Sequence, residues 1–491
     1  MQKLTVENRD LKIKPLQIIF ILAILQLIIS FLTEPMILTF DESMWQYIGR
    51  NWIRNGQVPY TGGVDNKSPL IFLVFGISDS LFGVNFWFPR LLGIAVQSVG
   101  IYGLFKIAEK MINPRAGLIA ISFYGLSLLW HSTGGKYVSY TETYAITCVI
   151  IAVYFCMVYQ KNNYAFIGGL FAGIGLGFRF TAVFGMVPMF IFTLKRSRRT
   201  GLAFLMGFLT SVGVLVFLAE WAGIKMSEFL FYGFGDNFGT GSATDHSIAW
   251  KAQRFADGFF YSELILFYPA LVFYFVLIRK IDFLKVWLLS EFIGIIILGM
   301  YDRCHYKDLL PVMSLMSSYV VYFLMENYHA PLKQILLGLW IVFFPKTFEP
   351  LLVVKKFFFL RSNQRLSNSN KAAFEGENLK KLLGLWIRSK TITNEKVFVA
   401  GYGAQIQAYS ERESPSIYFN VTQTAFAKKR LFFDLTANKP DMMVIPLSES
   451  YSNIVDADIR LFVNELAFKN YSLDTCMYDY NIFRFNRTIK P

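Results

Sequence analysis

The sequence predicts a polytopic α-helical membrane protein of about eleven spans, each needing roughly 20 apolar residues, followed by a soluble α/β domain. Three observations carry this. The 491-residue chain is 54% hydrophobic and only 17% charged. Its mean hydropathy of +0.41 is too high for a soluble enzyme. Beyond about residue 365 the apolar runs stop and the composition becomes that of a soluble domain. The net charge of +14 reflects Lys and Arg gathered in loops that stay cytoplasmic. No basic helix interleaved with aromatics marks a nucleic-acid surface. The four cysteines show neither a C-x-x-C motif nor metal-ligand spacing.

The elements follow in order. "MQKLTVENRDLKIK" (1–14) is polar and basic and reads as a cytoplasmic N-terminus; the apolar run 15–33 reads as an uncleaved signal anchor. "TFDE" (39–42) then falls outside. The run 87–107 ends in "KIAEKMINPR", whose Lys106, Lys110 and Arg115 place it in the cytoplasm. The short run between, "PLIFLVFGISDSLFG" (69–83), is expected to lie along the outer interface with Asp79 on its polar face. The later runs 116–131, 142–159, 164–178, 181–194, 201–221, 259–278, 284–300, 309–326 and 331–346 alternate across the bilayer, with 181–194 short for a crossing. This gives a membrane domain over 15–350 and an outer domain over 365–491. In the outer domain "EKVFVAGYGAQIQAY" reads as strand, glycine turn and helix, and "PDMMVIPL" as a second buried strand. Its "GYG" makes no G-x-G-x-x-G, so a nucleotide site is not expected.

With sides assigned, unusual polar residues collect on the outer side. Asp41, Glu42, Asp65 and Lys67 share the first outer loop, and His131, Lys136 and Glu142 the second. Arg179 sits in the third; Asp236, Asp245, His246 and Arg254 in the fourth; Asp302, Arg303, His305, Tyr306 and Lys307 in the fifth. Ionisable groups at membrane depth are costly unless paired or functional. Arg179 either meets an anionic substrate or serves packing by snorkelling or pairing with a carboxylate. Asp65 is either a site residue or a solvated turn residue. Asp41 is also expected to cap a helix beginning near Glu42. A carboxylate can take a proton from an attacking hydroxyl, and cations, Arg above all, can hold a phosphate leaving group. The pattern suits group transfer from a lipid phosphate. A transporter or flippase for lipid-linked sugars is the other reading, although transporter charges gather near midplane.

"FDESMWQYIGRNWIRNG", "DNKSPLIFLVFGISDSLFGVNFWFPRLLG" and "HYKDLLP", in that order, resemble the GT-C glycosyltransferases of the protein O-mannosyltransferase and lipid A aminoarabinose transferase superfamily. The resemblance covers roughly residues 15–330. It implies an inverting, polyprenyl-phosphate-sugar-dependent transferase in a bacterial inner membrane, its site facing the periplasm or exterior, with a glycan, lipid or protein acceptor. It implies Asp41 as catalytic base with Glu42 orienting it or the acceptor, and Lys67, Glu142, Arg179, Arg303, His305 and Tyr306 as substrate-binding residues. Asn66 and Ser68 depart from the acidic-Lys-Pro-Pro pattern. In members that bind a metal that acidic position can be a ligand, and Asn66 stands there in this chain; no cofactor is required by the resemblance, with a divalent metal as the other reading.

Overall fold

The computed structural model describes residues 14–33, 37–130, 138–159, 161–235, 247–260, 263–298, 301, 303–327, 368–420, 425–447 and 457–486. The predicted span 331–346 and His131, Lys136, Asp236, Asp245, His246 and Asp302 lie outside them, as does the side chain of Arg303.

The membrane part opens with α1 (Pro15–Ile28), α2 (Phe40–Asn55), α3 (Pro69–Phe82), α4 (Trp87–Met111) and α5 (Pro114–Ser127). It continues with α6 (Thr141–Val158), α7 (Asn162–Phe178), α8 (Ala182–Arg196), α9 (Arg198–Trp221) and the short α10 (Met226–Leu230). Next come α11 (Ile248–Phe259), α12 (Tyr268–Leu277), α13 (Phe283–Leu298), a 3₁₀ turn over Arg303–Leu309 and α14 (Leu310–Asn327). Among the described residues four helical segments are long and apolar enough to cross a bilayer, Trp87–Met111, Thr141–Val158, Arg198–Trp221 and Cys304–Asn327. A fifth follows if Ile248–Phe259 and Leu264–Leu277, bent by 59°, are one span. Other predicted runs carry shorter helices, such as the 15-residue α8 with Pro188 inside it.

Small residues set the closest helix approaches, as membrane packing favours. A Cβ on Gly169 of α7 would sit 2.1 Å from the Phe204 carbonyl of α9, and one on Gly207 2.0 Å from that of Phe166. On α2 and α3, Gly49 and Gly76 face each other, with a Gly49 Cβ 2.5 Å from the Gly76 nitrogen. This contact buries the α3 face carrying Asp79. The expectation of a solvated polar face is therefore corrected: Asp79 is fully buried, with Arg50 Nε 3.3 Å and Arg54 Nε 2.9 Å from its carboxylate. Gln46 Nε2 donates to it at 2.7 Å. Charge with no access to water must be paired, and α2 supplies both cations.

The C-terminal part holds α15 (Asn368–Lys390), β1 (Val397–Val399), α16 (Ala404–Ser410), α17 (Ala425–Ala437), β2 (Met442–Pro446), α18 (Ala457–Asn470), β3 (Tyr471–Met477) and β4 (Tyr480–Phe485). The four-stranded sheet has the order β1-β2-β4-β3. β1 and β2 are parallel and fully buried apart from Pro446, which is why both read as continuous apolar runs. β3 and β4 form a hairpin whose turn residues Tyr478 and Asp479 have φ of 51° and 63°, the mirror-image turn that matches strand twist. The α16 helix packs on α2. Tyr409 Oη accepts from the Leu38 amide at 3.0 Å, Gln405 Nε2 donates to the Leu38 carbonyl at 2.9 Å, and Arg50 Nη2 to the Ala408 carbonyl at 2.8 Å. The four cysteines are free.

Candidate active site

The segment before α2 is built from its own side chains. Thr39 is the N-cap: its Oγ1 accepts from the Glu42 amide at 3.3 Å, and Glu42 Oε2 accepts from the Thr39 amide at 2.8 Å. This reciprocal T-x-x-E arrangement is a capping box. Asp41 therefore does not cap, as the sequence led us to expect. It stands in the first turn, where the helix dipole favours negative charge, with its carboxylate released from backbone duty. Thr39→Ala is expected to cost about 1 kcal/mol of stability, read as a lowered unfolding midpoint; an unchanged midpoint would show the cap to be dispensable.

Glu42 lies elsewhere than a substrate-facing group should. It is fully buried, and Arg90 of α4 grips it bidentately, Nε to Oε1 at 3.0 Å and Nη2 to Oε2 at 2.9 Å. Ser139 Oγ donates to Oε1 at 2.5 Å. Arg90 also donates to the Ser30 and Ile37 carbonyls, each at 3.0 Å. Burial pushes the Glu42 carboxyl up, but Arg90, Ser139 and the Thr39 amide outweigh it and hold it below its ordinary value. The acidic pair thus divides: Glu42 and Arg90 tie the segment after α1 to α2 and α4, and Asp41 stays outside that clamp.

Asp41 is half-buried. Burial dominates its environment and pushes its carboxyl up to about 6; Lys67 pulls it down, Asp65 and Glu142 push it up, and a hydrogen bond with Tyr140 stabilises the charged form. Tyr140 Oη also lies 3.0 Å from Thr39 Oγ1. Asp65 is not a free turn residue, since its Oδ2 accepts from Trp45 Nε1 at 2.8 Å. Lys67 Nζ donates to Asn66 Oδ1 at 2.9 Å, and its backbone carbonyl accepts from Tyr60 Oη at 2.6 Å. Lys67 acts electrostatically on both Asp41 and Glu142, bridging two predicted groups.

A second cluster forms where α6, α7 and the 3₁₀ turn meet. Arg179 Nη1 binds Asp308 Oδ2 at 2.8 Å, its Nη2 lies 2.7 Å from His305 Nδ1, and Glu142 Oε1 is 3.6 Å away. Of the packing roles weighed for Arg179, the structure shows pairing. Lys307 Nζ donates to Thr143 Oγ1 at 2.7 Å. Tyr306 departs from its expected place in the pocket: it is fully buried, directed at Gly258 and the Phe255 carbonyl on α11. A 3₁₀ turn puts residues three apart on one side. His305 and Asp308 therefore share the Arg179 face while Tyr306 and Leu309 share the core. That periodicity was the missed signal for Asp308. Glu142, Cys304 and His305 each offer a ligand atom within 4.8 Å of one another, the one group among the described residues that could hold a metal ion. The Arg179 guanidinium lies 2.7 Å from His305 Nδ1 and 3.6 Å from Glu142 Oε1, so a cation there would meet its charge.

Beside the first cluster an apolar groove of about 290 Å³ runs between α3, α7 and α9, lined by Leu70, Leu73, Leu176, Val212, Leu215 and Phe229. Ser68 and Pro69 line it as well, which sets Lys67 at its edge.

Residues 66–222 match the family model described as dolichyl-phosphate-mannose-protein mannosyltransferase. The sequence has no match among curated proteins. ArnT from Cupriavidus metallidurans bound to undecaprenyl phosphate is similar in structure, with a TM-score of 0.63 at 12% identity over 96% of this chain and 99% of that one. Its apo form gives 0.57 at 13% identity over 95% and 97%. The archaeal oligosaccharyltransferase AglB from Archaeoglobus fulgidus, in complex with an inhibitory peptide and a dolichol-phosphate, gives 0.53 at 10% identity over 97% and 75%.

Proposed function

We infer that this chain, which has the GT-C glycosyltransferase fold, is an inverting transferase that moves a sugar from a polyprenyl-phosphate donor to an acceptor hydroxyl. The observation that carries the reading is Asp41: a half-buried carboxylate freed from capping, beside Lys67 and an apolar groove. In the proposed step Asp41 takes the proton of the acceptor hydroxyl. The hydroxyl oxygen forms the new bond to the anomeric carbon, and the bond from that carbon to the phosphate oxygen breaks. The lipid phosphate leaves with the bonding electrons. Lys67 stabilises the departing charge, as charge-assisted contacts to phosphate do. Arg179, already engaged by Asp308 and His305, holds Glu142 and His305 in place at the phosphate side. Arg303 stays assigned to that side by the resemblance alone, Glu42 becomes a positioning residue, and Tyr306 a packing one.

The same reading includes about eleven spans, the C-terminal domain and the site on the outer face, and a bacterial inner membrane. Undecaprenyl phosphate in ArnT and dolichol-phosphate in AglB support a lipid-linked donor, and the acceptor peptide tethered to the Archaeoglobus fulgidus oligosaccharyltransferase is one class of acceptor. Sealed vesicles loaded with a polyprenyl-phosphate sugar provide the test. Glycosylated acceptor on one face without donor crossing supports transfer; movement of donor without product would establish the flippase reading instead.

The pH profile is a further test. A base acting from its ionised form gives an acid limb at its own pKa, so kcat/KM should fall below about pH 6, where Asp41 is protonated. Since Lys67 lowers the Asp41 value, Lys67→Ala should move that limb to higher pH besides weakening donor use. A limb that stays put would remove Lys67 from the neighbourhood of the base.

A further inference from the structure

A second cleft, of about 450 Å³, opens between the α3–α4 turn and helices α15 and α16. Arg54, Trp87, Lys381, Arg388, Tyr409 and Glu411 line it. Its charges do not cancel. Arg54 and Arg50 share the single carboxylate of Asp79, and Arg388 Nη1 pairs with Glu411 Oε1 at 2.6 Å. Lys381 adds an ammonium 5.7 Å from the Tyr409 ring centroid, with no carboxylate within ion-pair distance among the described residues. Three cations, Arg54, Lys381 and Arg388, thus line the cleft against the single carboxylate of Glu411, while Arg50 and Asp79 are buried behind it.

The surroundings of the cleft are apolar. Trp87 opens α4, a helix long enough to span, and tryptophan at a span's end marks the headgroup level. Phe82 lines the cleft; it is 47% exposed and its neighbour Leu81 64%. On the opposite wall Leu385 is 39% exposed. A ligand that satisfies both features carries a negative head and a hydrocarbon body.

We propose that this cleft binds the anionic headgroup of a membrane lipid, at a site separate from the Asp41 centre. Lys381 and the Arg54 guanidinium supply the charge, and Trp87, Phe82 and Leu385 receive the glycerol backbone and upper chains. Because α15 and α16 belong to the C-terminal domain and α3 and α4 to the membrane part, the lipid would fasten one to the other. The proposal stands on the cleft alone and does not depend on the transferase reading.

The test uses the full chain in neutral detergent and follows its thermal unfolding midpoint during titration with short-chain phosphatidylglycerol, short-chain phosphatidylcholine or inorganic phosphate. Phosphatidylglycerol should raise the midpoint and bind about thirtyfold more tightly than phosphatidylcholine, as two basic residues near a headgroup predict. Lys381→Glu should abolish that preference. Lys381→Gln, which keeps the size and removes only the charge, should reduce it about fivefold. Equal binding of the two lipids would overturn the proposal. So would a preference unchanged in both Lys381 variants, or inorganic phosphate binding as tightly as phosphatidylglycerol, since the apolar wall would then contribute nothing.

Discussion

Asp41→Asn is expected to abolish turnover while the protein becomes more heat-stable. Loss of a general base typically lowers the rate by about 10²–10⁴, and asparagine keeps the size and most contacts of the carboxyl. The stability gain follows from the raised carboxyl. In the unfolded chain the aspartate ionises at its ordinary value; in the folded chain it does so only near 6. Between those values the native state holds more protons, so stability falls as pH rises, and the whole of that loss is present above about 6. Asparagine carries no charge and escapes it. The variant should therefore unfold at a higher temperature than the parent at pH 8, with the difference fading toward pH 4. Parental turnover would move the base elsewhere, with Glu142 next in line.

Arg90→Ala should be the most destabilising of these changes, by about 3–5 kcal/mol, because it leaves a buried carboxylate without its cation. Glu42 has no route to water, and the same substitution frees the Ser30 and Ile37 carbonyls that Arg90 holds. Glu42→Ala should cost a similar amount by stranding the guanidinium. The double variant Arg90→Met, Glu42→Leu should recover much of the loss, since an apolar pair of similar volume has no charge to desolvate. Unfolding midpoints of the parent and the three variants check this; an Arg90→Ala protein as stable as the parent would show the pair to be idle. In the parent, the stability from the lowered Glu42 carboxyl is present at neutral pH and is lost as pH falls through its folded value.

Much of the helix content was legible because it rests on local pattern. The apolar runs became α1, α4, α6 and α9, and the two fully apolar stretches of the soluble part became β1 and β2. The hairpin β3–β4 was harder to see. Its strands, "YSLDTCM" and "YNIFRF", are largely half-buried or exposed and lack a clean alternation. "T-x-x-E" at 39–42 is a readable capping signal, and Thr39 rather than Asp41 carries the cap. Asp308 lies inside "HYKDLLP", but its face depends on a 3₁₀ turn that hydropathy does not mark.

The sequence by itself determined that this is a helical membrane chain with an α/β C-terminal part, and that its charged residues gather in segments such as "TFDE" and "DNKSPL". Both follow from composition and short-range order, which no distant contact can change. Only the tertiary structure decided what each charged side chain does. Glu42 meets Arg90 forty-eight positions away, Arg179 meets Asp308 across 129 positions, and Asp79 faces α2 because two glycines let the helices touch. A buried charge takes its role from the partner that desolvation forces on it, and that partner is chosen by which helices pack together.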